Sequence, residues 1–397
     1  MATILNENAN TTSSSSISAT IQTYYDKKLI MSAKPQLVYQ QSGQQRPLPK
    51  NSGKSISFRK WTPFSAITDA LTEGVVPDGQ SLEMTNVTAT VAQYGGYVAV
   101  TDLLDLTALD PVINDSVELM GDQGGLSIDH ITRDIVCAGT NVQYAGDATS
   151  RVELDPTYTL TTDDVRKAVR TLKRNHAPQF MRNGKGYFKA IVSPDAIYDL
   201  QNDSLWQGVA HYQQAEKIED GEIGKLFGVI FFETPEAKII KPTISTTVAG
   251  YASKVVTLAQ AVTAGSPEAA ALAVGKKVFV YGEKLTITAL TPGAAGSASI
   301  TVSETPAHTP IAGDPVYSAD AGDKGAPVHC SLIFGRNAYG VVAIDNENFR
   351  TIIKARGSAG TSDPLEQLST VGWKAEGYAA AILQPLWLVR LEHGVTA

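Results

Sequence analysis

From Pro111 to Gly139, apolar and small residues recur every three or four positions: Ile113, Val117, Met120, Gly124, Ile128, Ile131 and Ile135. That is the period of one face of an α-helix. Asp110 suits the cap ahead of it. Pro111 suits the first helical position, where a missing N–H costs nothing, and Gly139 suits the stop. Such a helix spans roughly 40 Å at about 1.5 Å per residue. Gly124-Gly125 in its middle predicts a bend. Ahead of the helix the period falls to two. Between Lys54 and Trp61, Ile56 and Phe58 lie on one side, with Ser55, Ser57, Arg59 and Trp61 on the other. A second strand region follows over Val87–Val100, with Val87, Ala89 and Val91 on one face and a Gly95-Gly96 break read as a bulge. Paired, the two make a ribbon whose tip holds about 25 residues, against roughly 2–5 for an ordinary hairpin. A lone two-stranded ribbon is marginal, so this one needs another surface, expected on a neighbouring copy.

The first 45 residues have no comparable pattern. They are polar, with Ser13–Ser16 at the centre of a low-complexity tract, and the prolines of Arg46-Pro47-Leu48-Pro49-Lys50 exclude a helix beyond them. They read as an extended arm. Downstream, Thr161-Thr162-Asp163-Asp164 opens a helix with Val165, Ala168, Val169 and Leu172 on one face and Lys173-Arg174 at its end. Tyr187–Val192 and Ile223–Glu233 read as strands, and Ser193-Pro194-Asp195 opens a further helix. At Lys241-Pro242 the composition shifts to Ala, Thr, Ser, Gly and Val. Strand-like pieces at Val278–Tyr281, Leu285–Leu290 and Ala298–Val302 predict a small β domain over 242–326, inserted between two strands of its host. Strand grammar resumes over Val328–Ile344 and Val371–Glu392. The class is α+β.

The chain has 397 residues, enough for two or three domains, and 43% hydrophobic against 18% charged residues supports a real core. Net charge is −7, which argues against a tight nucleic-acid binder, because each phosphate contact calls for a cation. Cys137 and Cys330 are far apart and have no metal-ligand spacing, so neither a disulfide framework nor a zinc site is expected. Met1–Ser16 has no basic and apolar leader pattern, and no run of 18 apolar residues exists. Neither secretion nor membrane insertion is expected.

Chemistry is hard to place. Ser52-Gly53-Lys54-Ser55 imitates the end of a phosphate-binding loop, but Leu48 stands where the first glycine belongs, and a strand follows where a helix should. Gly221, Gly224 and Gly228 are spaced by three and four, which fits turns and close packing better than a dinucleotide loop. Asp102, Asp105 and Asp110 have no ligand-loop template and suit the approach to a helix start. The six histidines are scattered, and no HExxH occurs. No catalytic residue, cofactor site or metal site is assigned. Arg46, Lys50, Lys54, Arg59, Lys60 and Trp61 cluster at the ribbon and are the candidate inter-subunit contacts, facing acids of a neighbouring subunit; a nucleic-acid face is the other reading of these cations, which the negative net charge disfavours.

The order of parts resembles the major capsid proteins of tailed bacteriophages with the HK97 fold, most closely a podovirus-type family. The resemblance is carried by Arg46–Lys54 with Phe58–Trp61, Leu71–Gly74 with Pro77–Gly79, and Val98–Leu104 with Asp110-Pro111. Further stretches are Ala138–Asn141, Gly224–Gly228 with Glu233-Thr234, Phe334-Gly335 with Ala338–Gly340, and Asp363–Leu365 with Val371–Lys374. It implies an N-terminal arm (1–45), an extended E-loop (46–100) and a peripheral domain (101–159) with its spine helix at 111–139. It also implies an axial domain in two parts, 160–241 and 327–397, with return strands to the peripheral domain. Residues 242–326 match nothing in that plan. The resemblance implies a non-catalytic shell subunit, assembled in a host bacterial cytoplasm into hexamers and pentamers around double-stranded DNA. Scaffolding, portal and decoration proteins are the implied partners, with no membrane. Two other readings are a nanocompartment shell of the encapsulin kind and an intracellular enzyme with an inserted β domain.

Overall fold

The computed structural model describes residues 29, 31–33, 37–48, 54–61, 64, 66–68, 70, 79–107, 112–182, 184–206, 222–344, 348–354, 358 and 365–396. In chain order the first elements are α1 (Val38–Ser42), β1 (Gln44–Arg46), β2 (Ser55–Trp61), β3 (Met84–Thr90) and β4 (Ala92–Thr101). Next come α2 (Asp102–Thr107), α3 (Val112–Cys137), β5 (Val142–Tyr144), α4 (Thr162–Arg174), β6 (Phe180–Arg182), β7 (Lys185–Val192), α5 (Pro194–Asn202), β8 (Glu222–Leu226), β9 (Val229–Glu233) and β10 (Ile239–Ile240). A β-rich run follows: β11 (Ser245–Ala252), β12 (Val255–Leu258), α6 (Pro267–Ala271), β13 (Lys277–Val280), β14 (Glu283–Thr291), β15 (Ser299–Val302) and β16 (Pro315–Ser318). The chain ends with β17 (Val328–Phe334), β18 (Tyr339–Val342), β19 (Phe349–Lys354), β20 (Leu368–Tyr378), β21 (Ala380–Ile382) and β22 (Leu388–His393).

Two compact units result, one from residues 1–136 and 337–384, the other from 137–336 and 385–397. In the first, α3 runs as an unbroken helix of 26 residues. Its buried face carries Val117, Met120, Ile128 and Val136. The expected cap at Asp110-Pro111 lies outside the described residues. Gly124 serves a close approach: a Cβ there would sit 2.6 Å from the ring of Phe349 and 3.0 Å from that of Trp373. Those rings belong to the sheet β19–β20–β4, whose inner side, Val371, Trp373 and Ala375, shares a core with the helix. Gly95 and Gly96 are not the bulge the sequence suggested. They stand in register opposite Lys374 and Trp373, and the register shifts between Ala375 and Tyr378 instead. β4 therefore belongs to this sheet, and the two-stranded ribbon is only β2 with β3.

The arm differs from its reading where it is described. Residues 38–42 form α1, and a surface of the same unit holds it. Asp129 of α3 is buried and accepts the amides of Tyr39 and Gln40 at 2.8 and 3.1 Å. Burial lifts its carboxyl to about 7, although those amides pull the other way. Ser32 Oγ donates to Asp122 Oδ1 at 2.6 Å, a second tie between arm and helix.

The second unit centres on the sheet β5–β22–β17–β7–β9–β8. One side carries Phe188, Ala190, Val192, Phe231 and Ile333, packed against the apolar faces of α4 and α5. Thr161 and Asp164 form the reciprocal capping box that begins α4, as its sequence predicts. Its end follows the Schellman pattern, with Ala177 N–H on Leu172 O at 3.0 Å and His176 N–H on Lys173 O at 3.1 Å. Residues 137–159, which the sequence reading grouped with the long helix, fall here, and β5 pairs with β22. The terminal strand β22 pairs with β17, so it too lies in this sheet, while β20 and β21 lie in the first unit.

Between β10 and β17, themselves an antiparallel pair, the chain makes a closed barrel in the order β11–β12–β15–β14–β13–β16. Fourteen buried apolar residues, Val256, Leu258, Val278 and Ile300 among them, form its core.

Candidate assembly surface

The ribbon is set by its alternation. Ile56 pairs with Ala89 and Phe58 with Val87. Ile56, Phe58 and Ala89 are buried, while Ser55, Ser57 and Arg59 face out. The inner face finds its cover in its own unit, which corrects the expectation that a neighbouring copy supplies it. A Cβ at Gly340 of β18 would fall 2.5 Å from the Phe58 ring, so the missing side chain there is what lets the ribbon seat.

The six candidate contact residues divide. Arg46 ends β1, parallel to β18, and its guanidinium donates to the Ser57 carbonyl. Lys60 lies on the inner side and donates to the Gln384 side-chain oxygen. Both act as struts within the subunit. Lys54 and Arg59 are exposed and free to meet another surface. Lys50 lies outside the described residues. Trp61 pairs with Met84 through its backbone, and its side chain lies outside the described residues.

Sequence reasoning missed an apolar strip in the same unit. Leu103, Leu104 and Leu106 of α2 and Leu368 of β20 are exposed, Leu106 by 83%. Contiguous exposed apolar surface marks interaction sites. The D-L-L-D-L run was the available signal, but its acids drew attention to metal binding. Thr101 in fact caps α2, its Oγ1 accepting the Leu104 amide at 3.4 Å, while Asp102 sits in the first turn and accepts the Leu103 amide at 2.7 Å. The side chain of Asp105, and Asp110, lie outside the described residues. A groove of about 440 Å³ crosses the outer side of β4 and β20, between Tyr97, Ile352 and Lys374.

No group of His, Cys, Asp and Glu among the described residues could hold a metal ion. Lys54-Ser55 leads into a strand, as the comparison with a phosphate loop anticipated. Gly228 occupies a turn with φ +81°, and Gly224 backs onto Trp206; Gly221 lies outside the described residues. The polar cluster with most chemistry is buried. His329 and His393 face each other across β17 and β22, with rings 6.1 Å apart. Ser193 Oγ lies 3.0 Å from His329 Nδ1, and Ser331 Oγ 2.8 Å from His393 Nε2. The Gly394 carbonyl, 2.7 Å from His393 Nδ1, can only accept, so Nδ1 carries the hydrogen and Nε2 accepts from Ser331. Burial pushes His393 down to about 4. Beside it, fully buried Glu392 meets Arg151 at 2.6 Å and Arg390 at 2.8 Å. The two histidines, the two serines and Glu392 are all buried, and the set reads as internal structure. No helix among the described residues is long and apolar enough to cross a membrane.

No protein-family model matches the chain, and no curated protein sequence does. Solved structures do. The capsid of Ralstonia phage GP4 is similar with a TM-score of 0.56 at 11% identity, over 90% of this chain and 88% of that one. The capsid of cyanophage Pam1 gives 0.53 at 14% identity, over 88% and 87%. That of cyanophage P-SCSP1u gives 0.50 at 13% identity, over 89% and 86%. A long helix beside a sheet, a ribbon, a second sheet with helices on one side and a return of the chain through both units: this is the fold of phage capsid proteins.

Proposed function

We propose that the chain is a major capsid protein, a non-catalytic subunit that assembles as hexamers and pentamers into an icosahedral shell around double-stranded phage DNA. The observation that carries this is the capsid fold over about nine-tenths of the chain and of its structural neighbours. In that reading the first unit is the peripheral domain with α3 as its spine, and the second unit's central sheet is the axial domain. The arm is 1–45 and the E-loop lies within 46–100. The barrel within 242–326 is an elaboration on the outer surface, where it does not compete with packed DNA for space. Lys54 and Arg59 supply the ribbon's outward charge and meet acids of a neighbouring subunit, with Lys50 and Trp61 in the same contact. Scaffolding, portal and decoration proteins are its partners in a host cytoplasm.

Electron microscopy of the purified protein tests this. Closed shells are expected, and monomers under every assembly condition would overturn it. Copurification of an enzyme cargo in place of DNA would select a nanocompartment shell. Protease access to the barrel on intact shells checks its placement, and full protection refutes it.

A further inference from the structure

The acidic balance of the chain hides a local exception. On α4, Val165, Ala168, Val169 and Leu172 are buried. Arg166, Arg170, Lys173 and Arg174 are exposed on the opposite side. Among the described residues, the acids in ion pairs with the cations of this helix are Asp163 and Asp164, both in its first turn, while Asp203 binds the Thr162 amide and hydroxyl. Asp163 lies 3.8 Å from Arg166 and 3.4 Å from Lys167, and Asp164 3.3 Å from Lys167. From Arg170 onward the outward side has no acid and no large apolar residue. Beyond the helix end, the Arg336 amide donates to the Pro178 carbonyl at 2.7 Å, which brings a further exposed cation to the same end.

Cations in a last helical turn suit the helix dipole, which accounts for Lys173 and Arg174. Arg166 is accounted for by Asp163 and by the Phe227 ring, which its guanidinium overlies at 5.5 Å. Arg170 and Arg336 are left without such a reason. A protein partner would want an apolar anchor at the centre of its contact; none lies between Arg170 and Arg174, and the exposed Phe227 and Leu386 lie only at the two ends, beside Arg166 and Asn175. What remains is a row of cations, mostly guanidinium groups, which match phosphate geometry. Residues four apart on a helix rise by about 6 Å. Each strand of a duplex offers a phosphate per roughly 3.4 Å of axis, so such a row can meet alternate phosphates. We propose that the outward side of α4, with Arg336, binds the phosphate backbone of duplex DNA without reading its sequence. The inference rests on the shell reading for the choice of polymer, and it turns this side of the axial unit toward the lumen.

The test uses the intact chain and a fluorescent 20-base-pair duplex, titrated at 50 and 200 mM salt. The variant R170E/K173E/R174E is compared with K276E/K277E/K284E, which makes the same change in net charge on exposed lysines of the barrel. Salt-sensitive binding by the wild type is expected, weakened at least 30-fold in the α4 variant and less than threefold in the control. Each phosphate contact adds about 0.9 to the slope of log affinity against log salt, so the α4 variant should lose about three from that slope. The neutral variant R170Q/K173Q/R174Q should fall between. No wild-type binding at 50 mM, or equal losses in both charge reversals, would overturn the proposal. So would displacement of the duplex by polyglutamate at a lower charge concentration, which would assign the row to an acidic protein. Electron microscopy of the same samples keeps the two readings apart. Shells without DNA affinity defeat this inference alone, whereas DNA affinity without shells defeats the capsid reading.

Discussion

The ribbon and the barrel are built from the same kind of sequence, short strands with alternating apolar residues, yet they reach opposite solutions. The barrel joins its first strand to its last, β11 to β16, and so leaves no open edge. Its core is drawn from its own strands and the loops between them. The ribbon has two strands and, among the described residues, no third. Its apolar side is satisfied only by joining the core of α3 and β20. A closed element can be added to a fold as a unit, whereas an open one is bound to what lies under it. The largest expected effect follows from that dependence. Phe58→Ala removes a fully buried ring and should lower stability by about 3–5 kcal/mol, read from urea denaturation. A loss under about 1 kcal/mol would mean that the ribbon does not seat on its own subunit.

The two units also differ in how acid acts on them. Asp129, in the first, is raised by burial from 3.8 to about 7. Its contribution is full below the unfolded value and is lost as pH rises through about 7. His393, in the second, is depressed from 6.5 to about 4, by burial first and by neighbouring His329 to a smaller extent. Its contribution is full above 6.5 and is lost as pH falls through about 4. At about 1.4 kcal/mol per pKa unit, the shifts correspond to about 4.5 kcal/mol for Asp129 and about 3.5 kcal/mol for His393 across their windows. Between pH 4 and 6.5 the stability difference between wild type and Asp129→Asn should therefore shrink as pH rises. The difference between wild type and His393→Gln should grow over the same range. Urea midpoints at several pH values give both slopes, and slopes of one sign would break the contrast.

These pairs also mark where the sequence stops being informative. The α4 helix is legible to the residue, because its capping box, its period and its terminal cations all act within one stretch of chain. The strands at Val278–Tyr281, Leu285–Leu290 and Ala298–Val302 are legible for the same reason. Closure of the barrel is not, since it depends on a register between Ser245–Thr247 and Pro315–Tyr317 that no local pattern encodes. His329 and His393 are 64 residues apart and meet only through the register of β17 with β22. Asp129 carried no sign of burial, because its partners are backbone amides of α1. The candidate contact residues show the same division: composition placed the cations on the ribbon, but the direction of each side chain separated Lys54 and Arg59 from the struts Arg46 and Lys60.

A smaller effect is expected from removing the closed element. Thr243 and Asp320 stand at the barrel's root, where the Thr243 amide donates to the Asp320 carboxylate at 3.2 Å. Chain entry and exit are thus already side by side. Replacing residues 244–319 by a short Gly-Ser linker should shift the unfolding of the remaining protein by about 1 kcal/mol or less, since little loop-closure entropy changes. A shift several times larger would show that the barrel lends stability to its host.

The smallest effect lies at the end of α4. His176 adopts φ +51° to complete the Schellman pattern, a conformation that disfavours side chains bearing a Cβ. It is exposed, and Ala177 beyond it and Leu172 before it are both buried, so the turn is held by its neighbours and not by the imidazole. His176→Gly relieves the backbone without disturbing that contact. A net gain of about 0.5 kcal/mol in urea is expected, because the greater freedom of glycine in the unfolded chain offsets part of the relieved strain. A loss of stability would mean that the imidazole itself holds the helix end.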